Sequence, residues 1–265
     1  MTVDQEVPLL GGDVTEGVVR VGDTVRRPVR SHTRAVHGLL RHLESVGFDG
    51  SPRVLGVDDQ GREILSWMPG RTPHRPLPGF AATDETLVAL ARLLRRLHDA
   101  ASSYDPPADA VWDDEATSNL DGPYDLIGHC DVTPENVVFR DGLPYALIDF
   151  DLARPTTRLY DLVTTLRHWA PLDDPADRDL VQRDADVGHR IALFCGAYGL
   201  DREQRRDVLP AARIRFERSY DAMRTRAERQ GGGWARMWRS GVGEHIRRAQ
   251  DWLERNWDDL DAHLR

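Results

Sequence analysis

The sequence predicts an α+β fold in two parts, a small antiparallel sheet carrying one helix and then a larger, mainly helical part. Three observations predict it. The first 67 residues hold two hairpin signals around one amphipathic stretch, a proline-rich segment follows, and helical spacing of apolar residues dominates the remainder.

Val18 to Val21, Gly22-Asp23 and Thr24 to Val29 read as strand, Gly-X turn and strand. Thr33 to Ser45 places Val36, Leu39, Leu40 and Leu43 on one helical face. A second hairpin joins Val54 to Val57 and Glu63 to Trp67 through Asp58-Asp59-Gln60-Gly61. Met68-Pro69-Gly70 and the prolines up to Pro78 sustain neither ladder nor helix, so the boundary falls there. It gives an N-terminal part at 1–68 and a C-terminal part at 69–265. Thr83 to Thr86 is a capping segment for a helix with the stripe Leu87, Leu90, Ala91, Leu94 and Leu97. Further helices are expected near Asp161 to His168, Val187 to Tyr198, Arg202 to Arg229 and Trp234 to Asn256, the last two interrupted by Gly231-Gly232-Gly233. The tryptophans of that final stretch read as helix packing.

A formal charge of −9 argues against a nucleic-acid partner, which needs a basic face. The start, MTVDQEVPLLGG, lacks the basic and long apolar segments of a signal peptide, and no apolar run is long enough to cross a bilayer. A cytoplasmic location with no membrane partner is the expectation, and oligomeric state is not legible. Cys130 and Cys195 are the only cysteines and are expected as two reduced thiols, since no disulfide framework or common zinc spacing is present. The chain contains no lysine. Any cation that grips a phosphate therefore has to be arginine.

The chemistry concentrates in His129 to Asp151, HCDVTPENVVFRDGLPYALIDFD. Asp141-Gly142 supplies the positive backbone dihedrals of a tight hairpin between Val137-Val138-Phe139 and Tyr145 to Ile148. That hairpin brings Asn136 and Asp149 together as two oxygen ligands suited to Mg²⁺. Asp131, five residues before Asn136 on a loop that Pro134 keeps irregular, is placed to face an incoming hydroxyl. His129 reads as loop scaffold. One orienting carboxylate plus a metal pair suffices for phosphoryl transfer, whose loose transition state asks for positioning and charge neutralisation.

The spacing H-x-D-x-x-x-x-N at His129, Asp131 and Asn136, with Ile148-Asp149-Phe150-Asp151 where a kinase carries its metal-binding Asp-Phe-Gly, resembles the aminoglycoside phosphotransferase family, which is related to protein, choline and homoserine kinases. The resemblance implies a bilobal protein-kinase-like fold and transfer from ATP or GTP, with Mg²⁺, to a hydroxyl of a small molecule. It implies that Asp161 braces the metal-binding loop, and it implies main-chain contacts from Ser66, Trp67 and Met68 to the adenine. Gly11 and Gly12 lie in a stretch where the backbone could approach a triphosphate, although it matches no established phosphate loop. The family's phosphate-binding lysine corresponds to Arg26-Arg27. Strand alternation sends only one of them inward; Arg26 is the favoured one and Arg27 the alternative. The helix that in kinases carries the partner acid has Val36 and His37 at the matching turn, so that ion pair is expected to be missing. Cys130 stands where the family often has glycine.

Between Asp105 and Asp125 there are seven acidic residues and no basic one, and Asp173 to Asp186 adds a second cluster. If these line the acceptor cleft, they would concentrate cationic acceptors such as aminoglycosides or other amino-alcohols. The alternative is an ordinary solvated acidic surface. A further alternative function is a kinase-like module that binds nucleotide or ligand with little or no transfer.

Overall fold

Gly22, with φ of +55°, turns the chain between β2 (Val19–Val21) and β3 (Thr24–Pro28). In this computed structural model, which describes residues 5–9, 17–113 and 119–265, that hairpin is the middle of a five-stranded antiparallel sheet. β1 (Val7–Pro8) adds to its outer edge, and β5 (Arg62–Ser66) and β4 (Val54–Val57) complete the order β1-β2-β3-β5-β4. The β4–β5 turn is tied by Asp58, whose carboxylate accepts from the amides of Gln60 and Arg62. α1 (Thr33–Ser45) has the predicted bounds, and Val36, Leu39, Leu40 and Leu43 are buried.

After Ser66 the chain becomes mainly helical. Gly70 lies so close to the carbonyl of Phe139 that a Cβ there would collide with it. The neighbouring Arg71 exchanges two backbone hydrogen bonds with Phe139, at 2.8 and 3.0 Å. The connecting segment is thus laced to the hairpin predicted to carry the chemistry. Thr83 caps α2 (Asp84–Ala101) by accepting from the amide of Thr86. The predicted leucine stripe of α2 is fully buried beneath that hairpin and against α4 (Val187–Tyr198). Each such leucine stabilises the fold by about 1.5–3 kcal/mol, which fixes the platform under the site.

β6 (Leu126–Gly128) pairs with β9 (Arg154–Thr156), and β7 (Val137–Arg140) pairs with β8 (Leu143–Leu147) around Asp141 and Gly142, both at positive φ. α3 (Arg158–Trp169) follows. The helix expected over Arg202 to Arg229 is two, α5 (Arg202–Arg205) and α6 (Val208–Arg229). That expected over Trp234 to Asn256 is also two. α7 (Gly232–Arg239) starts within the glycine run, and Gly241, at φ +96°, ends it before α8 (Val242–Arg255). α9 (Trp257–Leu264) closes the described chain with Leu260 and Leu264 buried. No helix among the described residues is long and apolar enough to cross a membrane.

Candidate active site

The loop after β6 is held from below. Asp161, on α3 and fully buried, accepts from the amides of His129 at 2.8 Å and Cys130 at 2.9 Å, and its Oδ2 lies 3.1 Å from the Nε2 of His98. Burial opposes its ionisation, but His98, then His129 and the Cys130 amide, outweigh that and hold its carboxyl below the usual range. Trp169 donates its indole N–H to the carbonyl of Val132, pinning the loop from the other end of α3. His129 is buried, donates from Nε2 to the carbonyl of Ile148 at 3.0 Å and lies against Phe150. Burial pushes its imidazole down, which favours a neutral scaffold.

On that support Asp131 and Asn136 meet. The amide nitrogen of Asn136 donates to the carboxylate of Asp131 at 2.8 Å and to its carbonyl at 2.9 Å. The amide of Ile148 donates to the carbonyl of Asn136, which extends the hairpin by one rung and sets Asp149 beside the pair. Burial and then the charge of Asp149 push the Asp131 carboxyl up to about 7, against the hydrogen bond from Asn136. Asp149 takes the left-handed conformation, φ +63° and ψ +69°, a costly backbone for a non-glycine residue.

Opposite stands Arg27, not the favoured Arg26. Val25 and Arg27 share a strand face, and Arg27 is buried with Nη1 2.9 Å from Asp149, Nη2 2.6 Å from Asp151 and Nε 2.6 Å from Glu63. Burial opposes the charge on Arg27, but the three carboxylates more than offset it and raise its pKa. Arg26 points to the other face, donating to the Thr24 hydroxyl and lying 3.7 Å from Asp58. The ion pair expected to be missing is present with a different acid. Glu63 sits directly across from Arg27 in the β3–β5 register, and its second oxygen is 2.7 Å from the Nε2 of His37 on α1. The helix supplies a histidine, and the acid has moved to the neighbouring strand.

Comparison with known proteins agrees with this geometry. The family model described as the phosphotransferase enzyme family matches residues 104–194, a span that holds Asp131, Asn136, Asp149 and Asp161. A trifolitoxin immunity protein from Rhizobium leguminosarum bv. trifolii is 38% identical over 207 residues, 77% of each chain. The chain belongs to the phosphotransferase enzyme family.

Solved members of similar fold include a choline/ethanolamine kinase family protein from Mesorhizobium loti, 14% identical, with a TM-score of 0.64 over 98% of this chain and 91% of that one. Aminoglycoside 2'-phosphotransferase-IIIa, solved with GDP, is 15% identical, with a TM-score of 0.55 over 100% of this chain and 93% of that one. The fold is thus the bilobal, protein-kinase-like one, and the family makes the chain a phosphotransferase enzyme.

Within this family member, Cys130 has φ of +61°, the left-handed conformation that glycine adopts without strain. Its thiol is buried and pushed up to about 12, so it packs as a small apolar group. Gly11 and Gly12 lie outside the described residues. In the connecting segment, Ser66 and Trp67 spend their N–H groups on the carbonyls of Arg53 and Asp23. Among the described residues the N–H of Met68 makes no backbone hydrogen bond.

The predicted metal ligands fit a shared ion. Among the described residues, Asp149 Oδ2 and Asn136 Oδ1 accept no hydrogen bond, and both residues line the main cavity. Burial and the neighbouring Asp151 raise the Asp149 carboxyl, and a bound cation would favour its ionised form. No set of three or more His, Cys, Asp or Glu side chains is placed to hold a metal alone among the described residues. Mg²⁺ has the matching habit, binding through one or two protein ligands and completing its shell with phosphates and water.

Among the described residues, the acids of these clusters that line the cavity do not form an open anionic wall. Asp113 pairs with Arg226, Asp121 with Arg218, Asp173 with His245, Asp177 with Arg248, and Asp179 with Arg75. Asp186 caps α4. Sequence reasoning missed Glu63 and His37 as partners of the buried cation. The available signal was the hairpin register, which sets an acid opposite Arg27.

Proposed function

We propose that this protein moves the terminal phosphoryl group of ATP or GTP to a hydroxyl of a small molecule, with Asp131 as the base. The observation that carries this reading is the meeting of Asp131, Asn136 and Asp149 on one braced loop and hairpin, with Arg27 crossing from the sheet. Asp131 takes the proton of the acceptor hydroxyl while that oxygen bonds to the γ-phosphorus. The bond from phosphorus to the bridging oxygen breaks, and its electron pair leaves with the nucleoside diphosphate. A carboxyl shifted toward 7 is better matched to this task than an ordinary aspartate.

Asn136 and Asp149 would hold Mg²⁺, which supplies neutralisation of phosphate charge when bound. Arg27, braced by Glu63 and His37, directs its guanidinium to the phosphate side of Asp149 and fills the place of the absent lysine. Main-chain groups of Ser66 to Met68, chiefly the free N–H of Met68, would read the base, and Gly11-Gly12 would cover the phosphates. In this reading 1–68 holds the nucleotide and 69–265 brings the catalytic loop and the acceptor. The relative's name suggests a setting for the reaction, disarming a toxic compound by phosphorylation.

One observation favours a second reading, a binder with little transfer: Arg27 already occupies an oxygen of Asp149. Multiple-turnover release of nucleoside diphosphate with a panel of hydroxylated acceptors separates the two. Turnover that disappears in Asp131→Ala, with Mg²⁺-dependent nucleotide binding retained, supports transfer. Tight binding with no product across the panel supports the binder.

A further inference from the structure

The cavity beside Asp131 has a volume of about 660 Å³ and runs from the catalytic loop toward α3, α6 and α8. Its acids and its bases are distributed unequally in one respect. Apart from Asp131, its aspartates are paired with arginines or a histidine, as described above. Among its arginines without a carboxylate partner in the described residues are Arg154 on β9, Arg167 on α3 and Arg215 on α6.

Each of the three keeps a buried N–H donor unused. Arg154 spends Nη1 on the carbonyl of Leu152, and its Nε has no partner. Arg215 donates from Nε to the hydroxyl of Thr164, and its Nη1 has no partner. The Nε of Arg167 is likewise buried and unpartnered. Arg154 and Arg215 are 6% and 8% exposed, so water does not readily compensate them. Leaving a buried polar donor unsatisfied is costly, and for charged groups more so. Natural proteins retain such arrangements where a ligand completes them.

The three cations also feel one another and the base. Burial first, and then the charge of Arg167, push the Arg215 guanidinium down to about 10, with Arg154 acting in the same direction. Burial pushes the adjoining His168 down, and Arg167 and Arg215 add to the effect. Arg154 and Asp131 line the same cavity, so the cationic group shares the cleft with the proposed base. A protonated amino-alcohol would add a further positive charge to this wall. An oxyanion would satisfy it, and guanidinium groups match carboxylate and phosphate oxygens in geometry.

We propose that the acceptor carries an oxyanion near its reactive hydroxyl, a carboxylate or a phosphate ester, and that Arg154, Arg167 and Arg215 hold it. This rests on the phosphotransferase reading of Asp131 and names the acceptor class for that site. It replaces the cationic acceptor expected from the acidic clusters.

The test uses the full chain saturated with Mg²⁺ and AMP-PNP, so that the nucleotide site is filled. Ligand-observed NMR then compares four probes on one three-carbon skeleton: glycerate, glycerol 3-phosphate, neutral glycerol and cationic serinol. At least one of the two anions is expected to bind about tenfold or more tightly than glycerol and serinol. The preferred anion identifies carboxylate or phosphate as the source. Arg154→Met and Arg215→Met are expected to lose that preference with AMP-PNP binding intact. The half-buried Arg167→Met gives the same readout if either buried variant fails to fold. Serinol or glycerol binding as well as the anions, no detectable anion binding, or anion binding unchanged in the variants would overturn the proposal. A loss of Mg²⁺-dependent AMP-PNP binding in Asp149→Asn is read separately and bears on the phosphotransferase reading, not on this one.

Discussion

The buried Arg27 and the arginines that line the cavity beside Asp131 have opposite surroundings. On the sheet side, Arg27 is met by Glu63, Asp149 and Asp151, and Glu63 is completed by His37. On the helical side, Arg154, Arg167 and Arg215 keep donors that nothing among the described residues satisfies. A satisfied network holds its own geometry, whereas an unsatisfied one costs free energy until something binds. The sheet side is thus preorganised by the chain itself, whereas the helical side is completed only by the proposed oxyanion. Substitutions on the two sides should therefore act in opposite directions.

The largest expected effect is at Asp131, the proposed base. Asp131→Asn should lower the rate of nucleoside diphosphate production by about 10²–10⁴-fold, with nucleotide still bound, as expected for loss of a positioned base. Next comes the sheet side. Glu63→Gln removes a charge-assisted partner from both Arg27 and His37 and should lower the unfolding free energy by about 1.5–3 kcal/mol in urea titration. Stability equal to the parent would break the claim that this network is self-supporting. On the helical side the sign reverses. Arg215→Met removes a poorly compensated buried charge, so the same titration should show stability unchanged or raised by up to about 1–2 kcal/mol. A loss as large as that of Glu63→Gln would mean that Arg215 is structural.

The smallest effects sharpen the edges of the comparison. Arg26→Ala, on the opposite face of β3, should change stability by less than about 1 kcal/mol and leave nucleotide affinity intact. Cys130→Gly relieves a left-handed backbone but adds freedom to the unfolded chain. The two should nearly cancel, to within about 1 kcal/mol in thermal or urea unfolding.

Much of this arrangement was legible in the sequence because short-range rules govern it. Asp141-Gly142 fixes the hairpin turn, and Leu87 to Leu97 fixes the helix under it, each from local chemistry. The spacing from His129 to Asp149 placed the three candidate side chains Asp131, Asn136 and Asp149 on one loop and hairpin. The choice between Arg26 and Arg27 was missed because adjacent arginines carry no contrast of their own. Only Val25, two residues earlier on the same face, distinguishes them. Glu63 and His37 were missed because the pairing is between elements: no local rule says that a strand acid will replace a helix acid. The splits at Arg206-Asp207 and Gly241, and the helix α9, lie where apolar spacing continues through short breaks. The arginine wall was invisible for the same reason as Glu63. Arg154, Arg167 and Arg215 are far apart in sequence and meet only when α3, α6 and β9 pack, and in a chain rich in arginine none of them stands out.

The most direct measurement is calorimetric titration of ATP and GTP into the parent protein and Asp149→Asn, each with and without Mg²⁺. The account predicts that binding of the preferred nucleotide tightens with Mg²⁺ in the parent and that this gain is lost in Asp149→Asn. An Mg²⁺ gain of the same size in both proteins, or none in the parent, would contradict it.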